Sequence, residues 1–276
     1  MSVRPPVVIK IGGAALDAGA EARATWADLA AEHARQRGLG RAGVVLVHGG
    51  GAAVDRHLVR VGHDPAATGR IEGLRITPED QIDEVAMILG GLVNARVVAR
   101  LRAAGAPAVG MRLADAGACA LELVPGAGRV GRVAPAAAQP DEAGASIRAL
   151  LDAGFLPVVA SIGLADDGDL VNVNADDAAS GLAAVLAAAS LVLLTDVEGV
   201  RGADGSVISE LGPDEAEAAV RAGVIGGGMV PKVRSALEAS ARSGAPVTIT
   251  TWRRDRAAGA GTVVRAPRSL LEESRS

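Results

Sequence analysis

The stretch VVIKIGG, residues 7–13, is a run of branched apolar side chains broken by one lysine and closed by two glycines. A short β-branched run bounded by glycine reads as a buried strand feeding a turn. The lysine inside it is unusual for this chain. Lys10 is one of only two lysines in 276 residues; the other, Lys232, lies in GGGMVPKV (226–233), and arginine supplies the other 26 of the 28 basic positions. Coding bias explains a general preference for arginine. It does not explain why lysine persists at these two positions.

Outward from this strand, short apolar runs alternate with longer helical patterns, the signature of parallel strands joined by helices. Strands are expected at 7–11, 44–47, 155–161, 170–173, 191–194, 246–251 and 262–264, with shorter ones between 108 and 133. Helices are expected at 21–37, 52–61, 143–153, 175–189, 213–222 and 230–243. Thr77-Pro78-Glu79-Asp80 reads as a helix start, with Thr77 as cap, and that helix is expected to run to about residue 104, where Gly105 and Pro107 stop it. The last residues, LLEESRS, read as a tail. The fold class that follows is α/β, an open and mostly parallel sheet with helices on both faces. Ligands bind such sheets at the carboxyl ends of the strands.

Composition removes several classes of function. With 49% hydrophobic and 22% charged residues the chain is of ordinary globular type, long enough for one large domain or two lobes. A net charge of -4 and a pI near 5.6 offer no basic face for nucleic acid. No apolar run approaches the roughly 18 residues of a membrane span. The single cysteine, Cys119, cannot pair within the chain and reads as a small buried hydrophobe, suited to a reducing cytoplasm.

Four expected strands end in polar or glycine-rich turns: KIGG, HGGG, NVNAD and TDVEG. The chain has no G-x-x-x-x-G-K-[ST], and no G-x-G-x-x-G follows the first strand. His48-Gly49-Gly50-Gly51 resembles the oxyanion loop of esterases, but the G-x-S-x-G elbow that chemistry needs is missing, and Ser161 sits in VVASIGL. What remains is a bare glycine loop able to approach an anion, two lysines, and a polar cluster holding two of the chain's three asparagines, Asn172 and Asn174, beside Asp176. An Asx turn capping the next helix would also use Asn174 or Asp176. Phosphoryl transfer accounts for the set. Its transition state spreads negative charge over in-line oxygens, and catalysis is mostly positioning and electrostatics. Two ammonium groups would act as compact point donors from opposite sides, a volume a planar guanidinium does not occupy. An aspartate between them could hold both in register. A carboxylate acceptor needs no general base.

The ordered set IKIGG, VLVHGGG, GLRITPEDQID, PVVASIG, LVNVNADDAA, LLTDVEGV and GGGMVPKV resembles the amino acid kinase family, in particular its branch that phosphorylates N-acetylglutamate, and the resemblance covers about residues 7 to 265. KxGG alone is shared across the family; HGGG, GLRxT and NVNAD with GGM-x-x-K are more specific. The resemblance implies a three-layer α/β/α sandwich in two lobes: residues 1–187 for the acylated amino acid and dimerisation, and residues 188–276 for ATP. It implies that Lys10 and Lys232 stabilise the transferring phosphoryl group and that Asp176 organises both lysines. Gly50, Gly51, Arg75 and Asn172 would bind the substrate, Arg75 by clamping its α-carboxylate. Gly12, Gly13, Asp196, Val197, Glu198, Gly199, Val200, Arg201, Gly228, Met229 and Lys232 would surround ATP, with Mg2+ held mainly by the nucleotide phosphates. The loop MRLADAGACA departs from the family pattern in carrying fewer glycines. Arginine-inhibited relatives carry a further N-terminal helix, so a homodimer insensitive to arginine is expected. Rival acceptors are an acylated aminoadipate, a carrier-bound amino acid or another glutamate analogue. A non-catalytic amino acid sensor on the same fold would have to lack one of Lys10, Asp176 and Lys232.

Overall fold

The structure, a computed structural model, describes residues 4–71, 74–135, 139–140, 142–253, 261–267 and 269. The expected tail (270–276) and Gly73 of GLRIT lie outside the described residues.

The quoted stretch forms β1 (Val7–Ile11), which runs into a five-residue helix, α1 (Gly13–Asp17). The chain continues through α2 (Arg23–Gly38), β2 (Val44–His48) and α3 (Gly51–Arg60) to a small hairpin, β3 (Arg70–Ile71) and β4 (Leu74–Arg75). Then come α4 (Ile82–Ala86), α5 (Asn94–Ala103), β5 (Ala108–Arg112), β6 (Leu121–Leu123) and β7 (Val130–Val133). Next are α6 (Ala145–Asp152), β8 (Leu156–Ala160), β9 (Ile162–Leu164), β10 (Leu170–Val173) and α7 (Ala175–Val185). The remainder is β11 (Ser190–Thr195), β12 (Glu210–Leu211), α8 (Pro213–Arg221), α9 (Met229–Ser243), β13 (Val247–Thr251) and β14 (Thr262–Val264).

Eight strands form the central sheet in the order β12-β14-β13-β11-β1-β2-β8-β5. Every pairing in it is parallel except β13 with β14. A second sheet, β6-β7-β10-β9, covers one end. The expected α/β architecture is therefore the observed one.

Strand alternation divides the core. Val7, Ile9, Ile11, Val44 and Leu46 pack on one face with Trp26 and Leu29 of α2 and Val97 and Leu101 of α5. Val8, Val45 and Val47 pack on the other with Ile147 and Leu151 of α6, Ala178 and Leu182 of α7, and Val233 and Leu237 of α9. Each fully buried aliphatic side chain stabilises the fold by about 1.5–3 kcal/mol. Burial on both faces is why these strands read as continuous apolar runs. Lys10 shares the face of Val8, beneath α7. Strand β1 lies between β2 and β11, where the strand order turns in opposite directions, so its carboxyl end opens onto the crevice that binds ligands in open α/β sheets.

The helix expected to reach about residue 104 ends at Ala103, and it carries a π-helical turn, Met87–Val93, that contains Gly90-Gly91. Gly90 is bare because a Cβ there would lie 2.9 Å from Cδ of Arg112 on the edge strand β5. Thr77 does not cap this segment: Pro78 holds the cap position without a side-chain bond, and the Thr77 hydroxyl turns to Asn172 instead.

Candidate active site

The site is built where β1, β2, β10 and β11 end. Lys10 projects from β1 toward the first turn of α7, and its Nζ lies 2.9 Å from Oδ1 of Asp176. Asn174 caps that helix, its side-chain oxygen accepting the Asp176 N–H at 2.7 Å. The Asx cap and the polar cluster are thus one feature. Asp176 and Asp177 both sit at the positive end of the helix dipole.

Two cavities share this point. The larger, of about 380 Å³, is lined by Lys10, Gly12, Gly13, Asp176, the three glycines Gly49, Gly50 and Gly51, Arg75, Asn172 and Ser161, among others. The smaller, of about 230 Å³, shares Lys10, Gly12, Gly13 and Asp176 and adds Asp196 and Lys232. Lys10 therefore faces both, at their junction.

On the larger side, Gly50 has φ 156°, and a Cβ on it would stand 3.0 Å from Leu89 Cδ2. Glycine is required there by close approach as well as by backbone conformation. Asn172, on β10, donates its side-chain N–H to Thr77 Oγ1 at 3.1 Å. Arg75 is ion-paired to Asp55 of α3, and its buried Nη1 makes no hydrogen bond among the described residues. An unpartnered guanidinium donor on a cavity wall suits a carboxylate ligand. Three cationic side chains, Lys10, Arg70 and Arg75, face two carboxylates, Asp55 and Asp176, around this cavity.

On the smaller side, Lys232 lies in the opening turns of α9, where Pro231 is tolerated because its missing N–H has no helical partner to lose. Its Nζ donates to Asp196 Oδ1 at 3.1 Å, and this bond holds the Asp196 carboxyl below its usual pKa. Asp176 is ion-paired to Lys10 and shares the smaller cavity with Lys232. Asp196, at the end of β11, is the carboxylate next to Lys232.

The other expected nucleotide residues occupy varied positions. Gly12 donates its N–H to Leu194 O at 3.3 Å, while Gly13 borders open space. Val197 N–H bonds Thr195 Oγ1, Gly199 packs on Val207 and Thr262, and Val200 is buried with its N–H on Thr262 Oγ1. Glu198 and Arg201 pair with each other on the surface. Gly228 precedes α9 and Met229 opens it, packing against the core. Neither cavity is lined by residues 197–201 or 228–229. Cys119 is buried, its thiol pushed up to about 12 by desolvation, so it has no nucleophilic role.

Three side chains of this region escaped the sequence reading. Asp55 falls four residues after Gly51 on an ordinary amphipathic helix, so nothing local marks it. Thr77 reads more simply as a cap. Ser161 was weighed only as a nucleophile, yet it is a buried residue on the wall of the larger cavity.

The family model of the amino acid kinases matches residues 5–251. The chain belongs to the amino acid kinase family. Within the family it is 40% identical over 250 residues to an acetylglutamate kinase of Vibrio campbellii, covering 90% of this chain and 89% of that one. It is 41% identical to an acetylglutamate kinase of Edwardsiella ictaluri over 90% of this chain and 91% of the relative. Among solved structures it resembles smu.665 from Streptococcus mutans, with a TM-score of 0.74 and 28% identity, over 94% of this chain and 98% of that one.

Proposed function

We propose that the chain transfers the γ-phosphoryl group of MgATP to the side-chain carboxylate of N-acetyl-L-glutamate, forming N-acetylglutamyl 5-phosphate and ADP in arginine synthesis. The observation that carries this reading is the junction of two cavities at Lys10, one furnished with Arg75 and Asn172, the other with Lys232 and Asp196. The names of the relatives support the choice of acceptor.

In this reading the acceptor occupies the larger cavity, its α-carboxylate on Arg75 and its acyl-amino part near Asn172. A side-chain carboxylate oxygen bonds to the γ-phosphorus, the bond from that phosphorus to the β,γ-bridging oxygen breaks, and ADP leaves with the electron pair. The attacking carboxylate is already ionised, so no proton needs to be removed. Lys10 and Lys232 neutralise charge on the transferring oxygens from either side, and the N–H groups of Gly50 and Gly51 donate to the bound acceptor carboxylate. Asp176 keeps Lys10 in place. The nucleotide lies against Gly12, Gly13 and Asp196, with residues 197–201 and 228–229 beside it. Mg2+ would be carried in as part of MgATP and would supply positive charge to the phosphates; among the described residues no group of three or more His, Cys, Asp or Glu could hold a metal ion.

The two lobes we assign are residues 1–187 and 188–276. A homodimer in the cytoplasm is the form we propose. Met87 and Leu92, exposed on the π-helical turn, are apolar surface that a second copy would cover. No helix among the described residues is long and apolar enough to cross a membrane.

The test is a coupled ADP-release assay over a panel of acylated amino acids with MgATP. Preference for N-acetyl-L-glutamate is expected. Preference for an acylated aminoadipate or a carrier-bound amino acid would replace the acceptor, and absence of turnover on every acceptor would favour a sensor.

A further inference from the structure

His48 is fully buried at the end of β2, and the phosphoryl-transfer scheme makes no use of it. Its surroundings determine which ring nitrogen carries the proton. Asn94, at the head of α5 and itself buried, places Nδ2 at 2.9 Å from Val158 O and 3.0 Å from His48 Nε2. A carbonyl oxygen can only accept, so the Asn94 atom facing Val158 must be the amide nitrogen. That nitrogen is a donor, and His48 Nε2 must therefore present a lone pair. The ring proton then sits on Nδ1, 2.8 Å from the carbonyl oxygen of Gly49, to which it donates. Gly110 on β5 supports the arrangement from behind, because a Cβ at that position would overlap the Asn94 side chain. Burial also lowers the His48 pKa, which keeps the ring neutral.

The carbonyl that His48 holds belongs to the same peptide unit as the Gly50 N–H. A trans peptide is planar, with its C=O and N–H pointing in opposite directions. Fixing the Gly49 oxygen on the imidazole therefore aims the Gly50 N–H away from the ring. Gly49, Gly50 and Gly51 all line the larger cavity, and the Gly50 N–H donates to no acceptor among the described residues. Without a tether, a glycine-glycine peptide can rotate freely.

We propose that His48 is a positioning residue: as the neutral Nδ1–H tautomer, backed by Asn94, it fixes the Gly49–Gly50 peptide so that the Gly50 N–H serves the acceptor cavity. The inference rests on that cavity receiving the phosphoryl acceptor. It assigns the histidine of HGGG a role in holding the loop, with no proton transfer.

Two substitutions separate this role from simple core packing. The amide of His48→Asn can stand near the place of Nδ1 and still donate to Gly49. His48→Gln reaches toward Asn94 and leaves the Gly49 oxygen unheld. We expect His48→Gln to raise KM for the acceptor about tenfold or more with KM for ATP unmoved, and His48→Asn to recover most of that loss. Losing one hydrogen bond of ordinary strength is of this size. An unchanged acceptor KM in His48→Gln, or equal rises for acceptor and ATP, would overturn the proposal. Should both variants fail to fold, the wild-type chain still decides. Long-range proton–nitrogen NMR of the histidine rings at neutral pH should show one buried ring protonated at Nδ1 and bare at Nε2. An Nε2–H or doubly protonated His48 would overturn it. This spectrum needs no turnover, so a chain that phosphorylates another acceptor would revise the proposed reaction and leave the tautomer readout standing.

Discussion

The two lysines stand in contrasting halves of one site. Lys10 rises from a strand buried on both faces, its side chain 17% exposed, and meets a carboxylate that is itself fixed by a helix cap. Lys232 stands on a helix at the rim, 39% exposed, and its partner Asp196 is 61% exposed. The acceptor half is held by groups that cannot move without disturbing the core: His48, Asn94, Thr77 and Asn172. The nucleotide half is held by a solvated ion pair, of a kind that typically contributes no more than about 1 kcal/mol. Side chains on the acceptor side are set before substrate arrives, whereas Lys232 has a weak partner to leave when phosphate enters.

The largest effects should come from the lysines. Lys10→Arg and Lys232→Arg should each lower kcat by about a hundredfold or more, since each removes a point charge aimed at the transferring group. The Lys10 variant should be the worse of the two, because a guanidinium must fit a confined space beside Asp176, while the rim leaves room for adjustment. KM for ATP should change far less in both. Steady-state kinetics with both substrates varied is the measurement. Near-normal turnover in either variant would remove that lysine from the transition state, and equal losses would erase the contrast between the halves.

A smaller effect isolates the acceptor half. Thr77→Val keeps the shape of the side chain and deletes the hydroxyl that receives the Asn172 amide. Acceptor KM should rise about tenfold, the size of one lost hydrogen bond that orients Asn172, with KM for ATP unchanged. A rise in both would mean that Thr77 supports the fold in general and does not orient Asn172.

Much of this was legible in the chain itself. Strands buried on both faces announce themselves as apolar runs, and the scarcity of lysine and asparagine picked out Lys10, Lys232, Asn172 and Asn174 without structural help. The rest has a common physical origin. Thr77 was assigned to a helix cap, its best local use, because a partner 95 residues away on β10 leaves no local trace. The π-helical turn at Met87–Val93 sets the bare Gly90 against Arg112, another contact between distant segments. Charge logic alone sets one carboxylate, Asp176, between both lysines, and the structure adds a second, Asp196, beside Lys232. Which acid stands nearer Lys232 depends on how β11 and α9 lie together, and spacing does not encode that.

The smallest expected effect tests the exposed half most directly. Asp196→Asn removes the rim ion pair, and for a pair this solvated the stability change should be below about 1 kcal/mol, or a few degrees in Tm. The pH dependence sharpens the point. The Lys232 hydrogen bond depresses the Asp196 pKa from the ordinary 3.8, so its contribution is complete above that value and is lost only as pH falls through the depressed one. Nothing from Asp196 should therefore change between pH 5 and 8. Buried histidines act in the same sense but in a higher pH window. Desolvation lowers the pKa of both His33 and His48 from 6.5, so the unfolded chain takes up protons there that the folded chain refuses. Stability should then be complete above about pH 6.5 and fall as pH drops below it. Thermal unfolding of wild type and Asp196→Asn from pH 5 to 8 should give two curves that rise toward about pH 6.5 and then level off, parallel and only slightly offset. If the substitution flattened that slope or cost ten degrees, the rim pair would be a structural element of the fold, and the nucleotide half would be as firmly built as the acceptor half.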